Sequence, residues 1–446
     1  MLGAFRYSNR MTSVTGASIA PGTYSRPSPL IFCILTALVL LAYTPALTQP
    51  LIEDDYPNIV QARVYGPVSG WTEVFHDPVF RLRTTSWVLL NGLYQLFGMH
   101  APAYYAVTIL LHILNTWLVY GMGVWRALGY ELTAWAAGFF AIYEGHQEAV
   151  MWVSASNETL MLMFGLLSFL AWIRFMESGK LLLYLASISA FCLALLSKES
   201  AVIFVPLLAL TLAFDRRHVG RDAAYLLPFG ALAFRAALSI VRTRSYSFRF
   251  QDGSFSLHAP FWLIWPENFA RLLRFWGLLC LIAISVWKPP GHRRIVGIGA
   301  GWIAIGLIPY SFLTYSIHIP SRQLYLASVG LCIIVGFALQ NLHRRCWPGR
   351  RPVVIAVCAL IVSANVIYIW TKKRAQYLER AAPTEQLIAL ARNTRGPIYI
   401  QCFPRPHFVA ESAIQLRTGW PASDLIWSPD EAASRHAAAT FCYKGR

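Results

Sequence analysis

Charge is scarce in this chain. Only 13% of its 446 residues are Asp, Glu, Lys or Arg, while 56% are hydrophobic. A soluble protein carries about 25% charged residues, so the deficit argues against a soluble globular fold. Acidic residues are the rarer sign, 21 against 38 Lys+Arg, for a net charge of +17. That excess does not point to nucleic acid as a partner. The basic residues fall in short clusters between apolar runs, the pattern of the cytoplasmic loops of a membrane protein. No Gly-rich phosphate loop is evident. The first apolar run starts too far along, and lacks the cleavage pattern, to read as a removable signal peptide.

What the chain has instead is long apolar runs and many aromatics, with Trp 16, Tyr 21 and Phe 26. A membrane-spanning helix needs roughly 20 apolar residues. Eleven runs qualify or come close, at about 30–47, 104–124, 129–143, 159–175, 181–196, 200–214, 223–241, 270–287, 294–315, 323–340 and 353–371. The expected fold is an all-α polytopic bundle of about 11 transmembrane helices over residues 1–371, with the lipid bilayer as its surroundings. Residues 372–446 form a tail with strand-like runs at 397–403 and 438–443 and helical patterns near 384–393 and 408–416, which suggests a small α/β appendage.

The basic clusters set an orientation. Arg6, Arg10 and Arg26, then Arg216, Arg217 and Arg221, Lys288, Arg293 and Arg294, and finally Arg344, Arg345, Arg350 and Arg351 all fall on one side if there are eleven spans. That side is assigned to the cytoplasm. The loop near 242–274 carries Arg242, Arg244, Arg249, Arg271 and Arg274 yet falls on the outer side, where arginines could attract a lipid phosphate. The tail then lies outside as well. Its two cysteines, Cys402 and Cys442, are a candidate disulfide in an oxidising compartment, and a pair of buried free thiols otherwise.

Four polar clusters share the outward face. The first outward loop, 48–103, opens with Asp54-Asp55 just beyond the first span. Two adjacent carboxylates suit general-base work, one accepting a hydroxyl proton while the other orients; the plain alternative is a solvated loop start or a helix N-cap. The same loop holds an interrupted apolar stretch, 86–97, that reads as an amphipathic helix lying along the interface. The second cluster holds Glu144, His146 and Glu148, of which His146 and Glu148 are candidates for a metal or a sugar, or else an interfacial cap. In the third, Lys198 and Glu199 join two apolar runs with almost no loop, where Lys could bind phosphate while Glu holds it, or the two form an internal ion pair. The fourth has Arg322 as an anion contact with Tyr325 one helical turn on, or an interfacial Arg/Tyr anchor.

The ordered set of motifs resembles the GT-C class of multi-span glycosyltransferases, in particular the branch with the TPR-bearing protein O-mannosyltransferases. The matching pieces are LIEDDY at 51–56, FRLRTTSWVLLNGLYQLFGMHAPAYYAVTILLHILNTWLVY at 80–120, AIYEGHQEAVMWVSASNETLMLMFGLLSFLAW at 141–172, LALLSKESAVIFVPLLAL at 193–210 and SRQLYLASVG at 321–330. The resemblance implies a sugar moved from a polyprenyl-phosphate-linked donor to an acceptor hydroxyl on a glycan, lipid or protein, with inversion. Asp54 would be the catalytic base with Asp55 beside it. Lys198-Glu199, Arg322 and Tyr325, and further Arg244 or Arg249, would serve the donor phosphate. No nucleotide-sugar site is expected, and a divalent metal is optional in the class. At Glu144-Gly145 and His146-Gln147-Glu148 the chain departs from the family pattern, and the tail is too short for a TPR array and shows no 34-residue repeat. The implied setting is a bacterial inner membrane with the active site on its periplasmic face. The competing readings are a transporter or flippase of lipid-linked oligosaccharide, for which internal repeats would be expected and none is seen, and a glycan polymerase or ligase that relies on Arg and His.

Overall fold

The structure is a computed structural model that describes residues 27–77, 80–215, 219–244, 256, 258–313, 318–347 and 349–444. Each of the eleven apolar runs is helical. The first is Pro29–Tyr43, opened by a proline whose missing N–H costs nothing at a first helical position. Five helices among the described residues are long and apolar enough to cross a membrane, six if one bent pair is taken as a single span. The others are shorter, such as Gly129–Ile142 and Phe204–Asp215, or less apolar, such as Ser328–Cys346, so length and apolarity alone do not confirm eleven crossings. Many outward side chains on these helices are large and apolar: Leu182 is 78% exposed and Val286 72%. Water would not tolerate such a belt, but lipid does.

The bundle closes around Ser328–Cys346, whose residues from Ser328 to Asn341 are all buried. With lipid outside and apolar side chains inside, helix association depends on close packing rather than on the hydrophobic effect. Two contacts show it. A Cβ on Gly330 would lie 2.3 Å from the Gly299 carbonyl oxygen of the helix His292–Leu307, and a Cβ on Gly336 would lie 2.6 Å from the Ala136 nitrogen.

Three boundaries differ from expectation. The run at 270–287 begins as a helix only at Trp276; before it, Phe261–Leu273 forms a separate helix bent 71° away. The stretch at 86–97 is a helix that starts earlier, Thr84–Phe97, and packs on the helix Asp55–Tyr65. The last run does not stop near 371. It continues through a π-helical turn, Ile369–Lys373, into Arg374–Asn393, giving one helical stretch Arg351–Asn393 of 43 residues. At about 1.5 Å per residue that is roughly 65 Å, about twice the ~30 Å hydrocarbon core, so the second half projects beyond it.

The projecting half leads into the tail. There β1 (Ile398–Cys402), β2 (Leu425–Ile426) and β3 (Ala439–Cys442) form a parallel sheet in the order β2-β1-β3. Parallel neighbours need crossovers, supplied here by the helices His407–Thr418 and Pro429–Ser434. Cys402 of β1 and Cys442 of β3 are joined by a disulfide.

Candidate active site

The loop after the first span turns sharply. Leu51 and Ile52 are buried, Glu53 adopts a left-handed φ of +44°, and the helix Asp55–Tyr65 follows. A left-handed conformation costs a non-glycine residue roughly 1–3 kcal/mol and persists only where its surroundings enforce it. Glu53 has such surroundings: its carboxylate is ion-paired with both Arg380 and Arg405 of the tail.

The two aspartates that follow are treated very differently. Asp55 is buried and fully engaged, accepting hydrogen bonds from the Ile52 N–H (2.9 Å), the Ser154 N–H (2.7 Å) and the Ser154 hydroxyl (2.6 Å). It ties the first loop to the segment Val153–Ala155. Burial pushes its carboxyl up to about 7, against the pull of those three donors. Asp54 occupies the N-cap position of the helix but makes no cap bond. Its side chain has no hydrogen bond or ion pair among the described residues and lines a cavity instead. Burial and the neighbouring Glu53 raise its pKa, more than Arg322, Arg380 and Arg405 lower it.

The cavity measures about 380 Å³, within the range of small-molecule sites. Its lining includes the polar and charged residues Asp54, Arg83, Lys198, Glu199 and Arg322 as well as the apolar Val202, Ile203, Ile308, Phe312 and Leu313. Three of the four sequence clusters therefore meet here, from positions nearly 270 residues apart. A local tie helps explain how. The Thr85 N–H donates to the Leu196 carbonyl (3.1 Å) and the Thr85 hydroxyl to Ser197 Oγ (2.7 Å), joining the first-loop helix to the turn that carries Lys198.

Lys198 is buried, and its ammonium pairs with Glu158 rather than with Glu199. This corrects the expectation that Glu199 holds the lysine. Glu158 is fully buried and also accepts a hydrogen bond from the Tyr310 hydroxyl (2.7 Å), so its two oxygens fix two neighbouring residues of the cavity lining. Glu199 pairs with Arg83 (3.6 Å). Burial lowers the Lys198 pKa, while Glu158 and Glu199 counter the shift and favour the charged form.

Arg322 is held by Glu148, which also accepts from the Arg322 N–H (3.2 Å) and the Ser321 hydroxyl (3.0 Å). Burial pushes Glu148 up, but the Arg322 charge and N–H, the Ser321 hydroxyl and Arg380 together outweigh it, and the carboxyl lies below its usual range. The Arg322 guanidinium lies 4.6 Å from the Trp152 ring centre, and Arg380 from the tail lies 4.6 Å from the same ring. Glu148 thus positions a cation at the cavity and is itself outside the lining.

His146 and Tyr325, expected to contact ligand, do not reach the cavity. Both are buried in a cluster of rings with His112, Phe140 and Tyr143. His146 Nδ1 donates to the Phe140 carbonyl (3.0 Å), which leaves Nε2 to accept from Ser328 (2.6 Å). Tyr325 donates to His112 Nδ1 (2.7 Å), while His112 Nε2 faces the Ala141 carbonyl. Burial, reinforced by His112, holds His146 well below the usual histidine range, so it is neutral. Among the described residues no group of three or more His, Cys, Asp or Glu side chains is arranged to hold a metal ion. Arg249 lies outside the described residues, as does the side chain of Arg244.

The family model described as dolichyl-phosphate-mannose-protein mannosyltransferase matches residues 84–240, a stretch that holds Glu148, Trp152, Glu158 and Lys198 but neither Asp54 nor Arg322. Human protein O-mannosyl-transferase TMTC4 is 24% identical over 60% of this chain and 48% of its own length; the chain spans about half the length of the curated relatives it matches. ArnT from Cupriavidus metallidurans in the apo state has a TM-score of 0.53 at 14% identity, with 91% of this chain and 87% of that one covered. Bound to undecaprenyl phosphate, the same protein gives 0.50 at 14% identity over 91% and 90%. The archaeal oligosaccharyltransferase AglB from Archaeoglobus fulgidus, in complex with an inhibitory peptide and a dolichol-phosphate, gives 0.52 at 11% identity over 90% and 64%. At these identities the structural likeness is one of fold. The chain is a multi-pass membrane protein that shares its fold with these structures and resembles the O-mannosyltransferases in sequence over residues 84–240.

Proposed function

We propose that the protein is a glycosyltransferase that moves a sugar from a polyprenyl-phosphate-linked donor to an acceptor hydroxyl, with Asp54 as general base. The observation that carries this reading is that Asp54, a cavity carboxylate, has no hydrogen-bond or ion-pair partner among the described residues and shares its cavity with Lys198, Arg83 and Arg322. Two further points support it. The cavity is lined by both charged and apolar side chains, which suits a phosphate that bears a hydrocarbon chain. Relatives in fold include proteins captured with undecaprenyl phosphate and with a dolichol-phosphate.

In this mechanism Asp54 takes the proton of the acceptor hydroxyl. The oxygen attacks the anomeric carbon from the face opposite the phosphate, forming the new glycosidic bond as the carbon–oxygen bond to the lipid phosphate breaks. The electron pair stays with the leaving phosphate, and the anomeric configuration inverts. Arg83, Lys198 and Arg322 stabilise the charge that develops there. Each of these cations is held by a carboxylate, Glu199, Glu158 and Glu148 respectively, so the charges are preorganised rather than recruited. Asp55 serves as a brace for the loop.

Residues 1–371 would form the catalytic membrane unit, and 372–446 an extracytoplasmic tail. The active site would face the periplasm, or the lumen in a eukaryotic setting like that of the curated relatives. The test uses the full chain in lipid nanodiscs with radiolabelled undecaprenyl-phosphate-mannose and its dolichyl counterpart. Expected is release of lipid phosphate with a product of inverted anomeric configuration. Retained configuration, or movement of intact donor across a bilayer without release of lipid phosphate, would overturn the reading.

A further inference from the structure

The tail, outside the matched family region, reaches back to the cavity through one residue. Glu53 directly precedes Asp54 and holds a left-handed backbone, φ +44°. Its carboxylate is gripped by two tail arginines: Arg380 Nε donates to Oε1 (3.1 Å) and an Arg380 terminal nitrogen to Oε2, while Arg405 pairs with Oε1. The grip is itself anchored. Arg380 stacks on Trp152, a cavity residue, beside Tyr377 of its own helix. Tyr377 donates to Gln147 (2.6 Å), and Tyr56, on the helix that follows Asp54, donates to Glu385 (3.0 Å). These contacts flank Asp54 on both sides in sequence and all come from the projecting helix or from the loop after β1.

We infer that Arg380 and Arg405 are positioning residues for the transfer reaction, clamping Glu53 in its left-handed turn so that Asp54 points into the cavity instead of capping its helix. The inference rests on the reading of Asp54 as the base. A residue in that backbone conformation relaxes readily once its restraint goes, and an aspartate at an N-cap then has its ordinary alternative available, accepting the backbone N–H groups of the helix. The tail is accordingly part of the catalytic apparatus and not an appendage. Its arginines have a second consequence. Along with Arg322 they are the cations that lower the Asp54 pKa, against burial and Glu53. Lys198, Arg83 and Glu199 share the cavity, and the ion pairs Lys198–Glu158 and Arg83–Glu199 involve no tail residue.

The experiment compares wild type with Arg380→Ala, Arg405→Ala and the double variant in nanodiscs, with Arg380→Lys as the conservative control. Hydrogen exchange over residues 49–58 is read first, because it needs no substrate. The double variant should exchange at least 10-fold faster there, with a melting temperature within a few degrees of wild type. With undecaprenyl-phosphate-mannose as the probe, kcat should fall 10-fold or more while the donor KM changes less than 2-fold. The acid limb of the pH profile should move to higher pH, and Arg380→Lys should recover part of both effects. Unchanged exchange over 49–58 would overturn the clamp, as would unchanged kcat and acid limb in an enzyme that Asp54→Asn inactivates. If Asp54→Asn leaves turnover intact, the base assignment falls, and the exchange measurement still decides the clamp.

Discussion

Two polar clusters lie within this bundle, and they differ in one respect that decides their roles. The ring cluster of His112, His146 and Tyr325 is closed: each polar atom pairs with another inside the cluster, with a backbone carbonyl or with the Ser328 hydroxyl, and all three side chains are buried. The cavity cluster is open. Its cations Arg83, Lys198 and Arg322 are each paired with a carboxylate, yet Asp54 has no partner among the described residues and lines the cavity. A closed cluster holds helices together; a surplus group facing a cavity can do chemistry. Both look alike in sequence, as ionisable residues breaking apolar runs.

The comparison breaks most readily at Asp54. Asp54→Asn keeps the shape and loses the base, so turnover should fall by about 10²- to 10⁴-fold, with the melting temperature unchanged. Next comes the buried pair beneath the cavity. Glu158→Ala strands the Lys198 ammonium and should destabilise the protein by about 3–5 kcal/mol. Combined with Lys198→Met, much of that loss should return, because no charge is left without a partner. Thermal unfolding in detergent checks both, and a purely additive double variant would break the pairing argument.

A smaller effect concerns pH. Asp54 must be ionised to act, and burial with Glu53 holds its pKa above the ordinary value. Turnover should therefore decline as pH falls through that raised value, giving an acid limb above the usual aspartate value of about 4. A limb at 4 or lower would mean that Asp54 is better solvated than the geometry indicates. The smallest effect belongs to the closed cluster. Tyr325→Phe leaves His112 without its donor and should cost about 1–3 kcal/mol, while turnover per folded molecule stays within 2-fold. A large catalytic loss there would return Tyr325 to the site.

Much of the architecture was legible because apolar runs announce themselves. All eleven runs are helical, and the strand-like runs of the tail are β1 and β3. The bend before Trp276 and the continuation past residue 371 were not legible, since composition says where helices can lie and little about where one axis breaks or persists. At the site, adjacency in sequence misled. Lys198 beside Glu199 suggested a pair, but the lysine reaches Glu158, 40 residues earlier. A signal for Glu158 existed: it is a lone carboxylate near the start of an apolar helix, Ser156–Ser178, and such residues are costly unless paired. Arg83 and Trp152 gave no comparable signal, and Arg380 lay in the tail, where basic residues are unremarkable. Adjacency also hid the split between Asp54 and Asp55, since neighbours on a turn face different surroundings.

The most direct test of the account is single-turnover release of undecaprenyl phosphate from undecaprenyl-phosphate-mannose by Asp54→Asn and Tyr325→Phe, measured side by side in nanodiscs with donor binding quantified for each. The account predicts that Asp54→Asn binds the donor yet releases lipid phosphate about 10²- to 10⁴-fold more slowly than wild type, while Tyr325→Phe keeps the wild-type rate. Release by Asp54→Asn at the wild-type rate would contradict it.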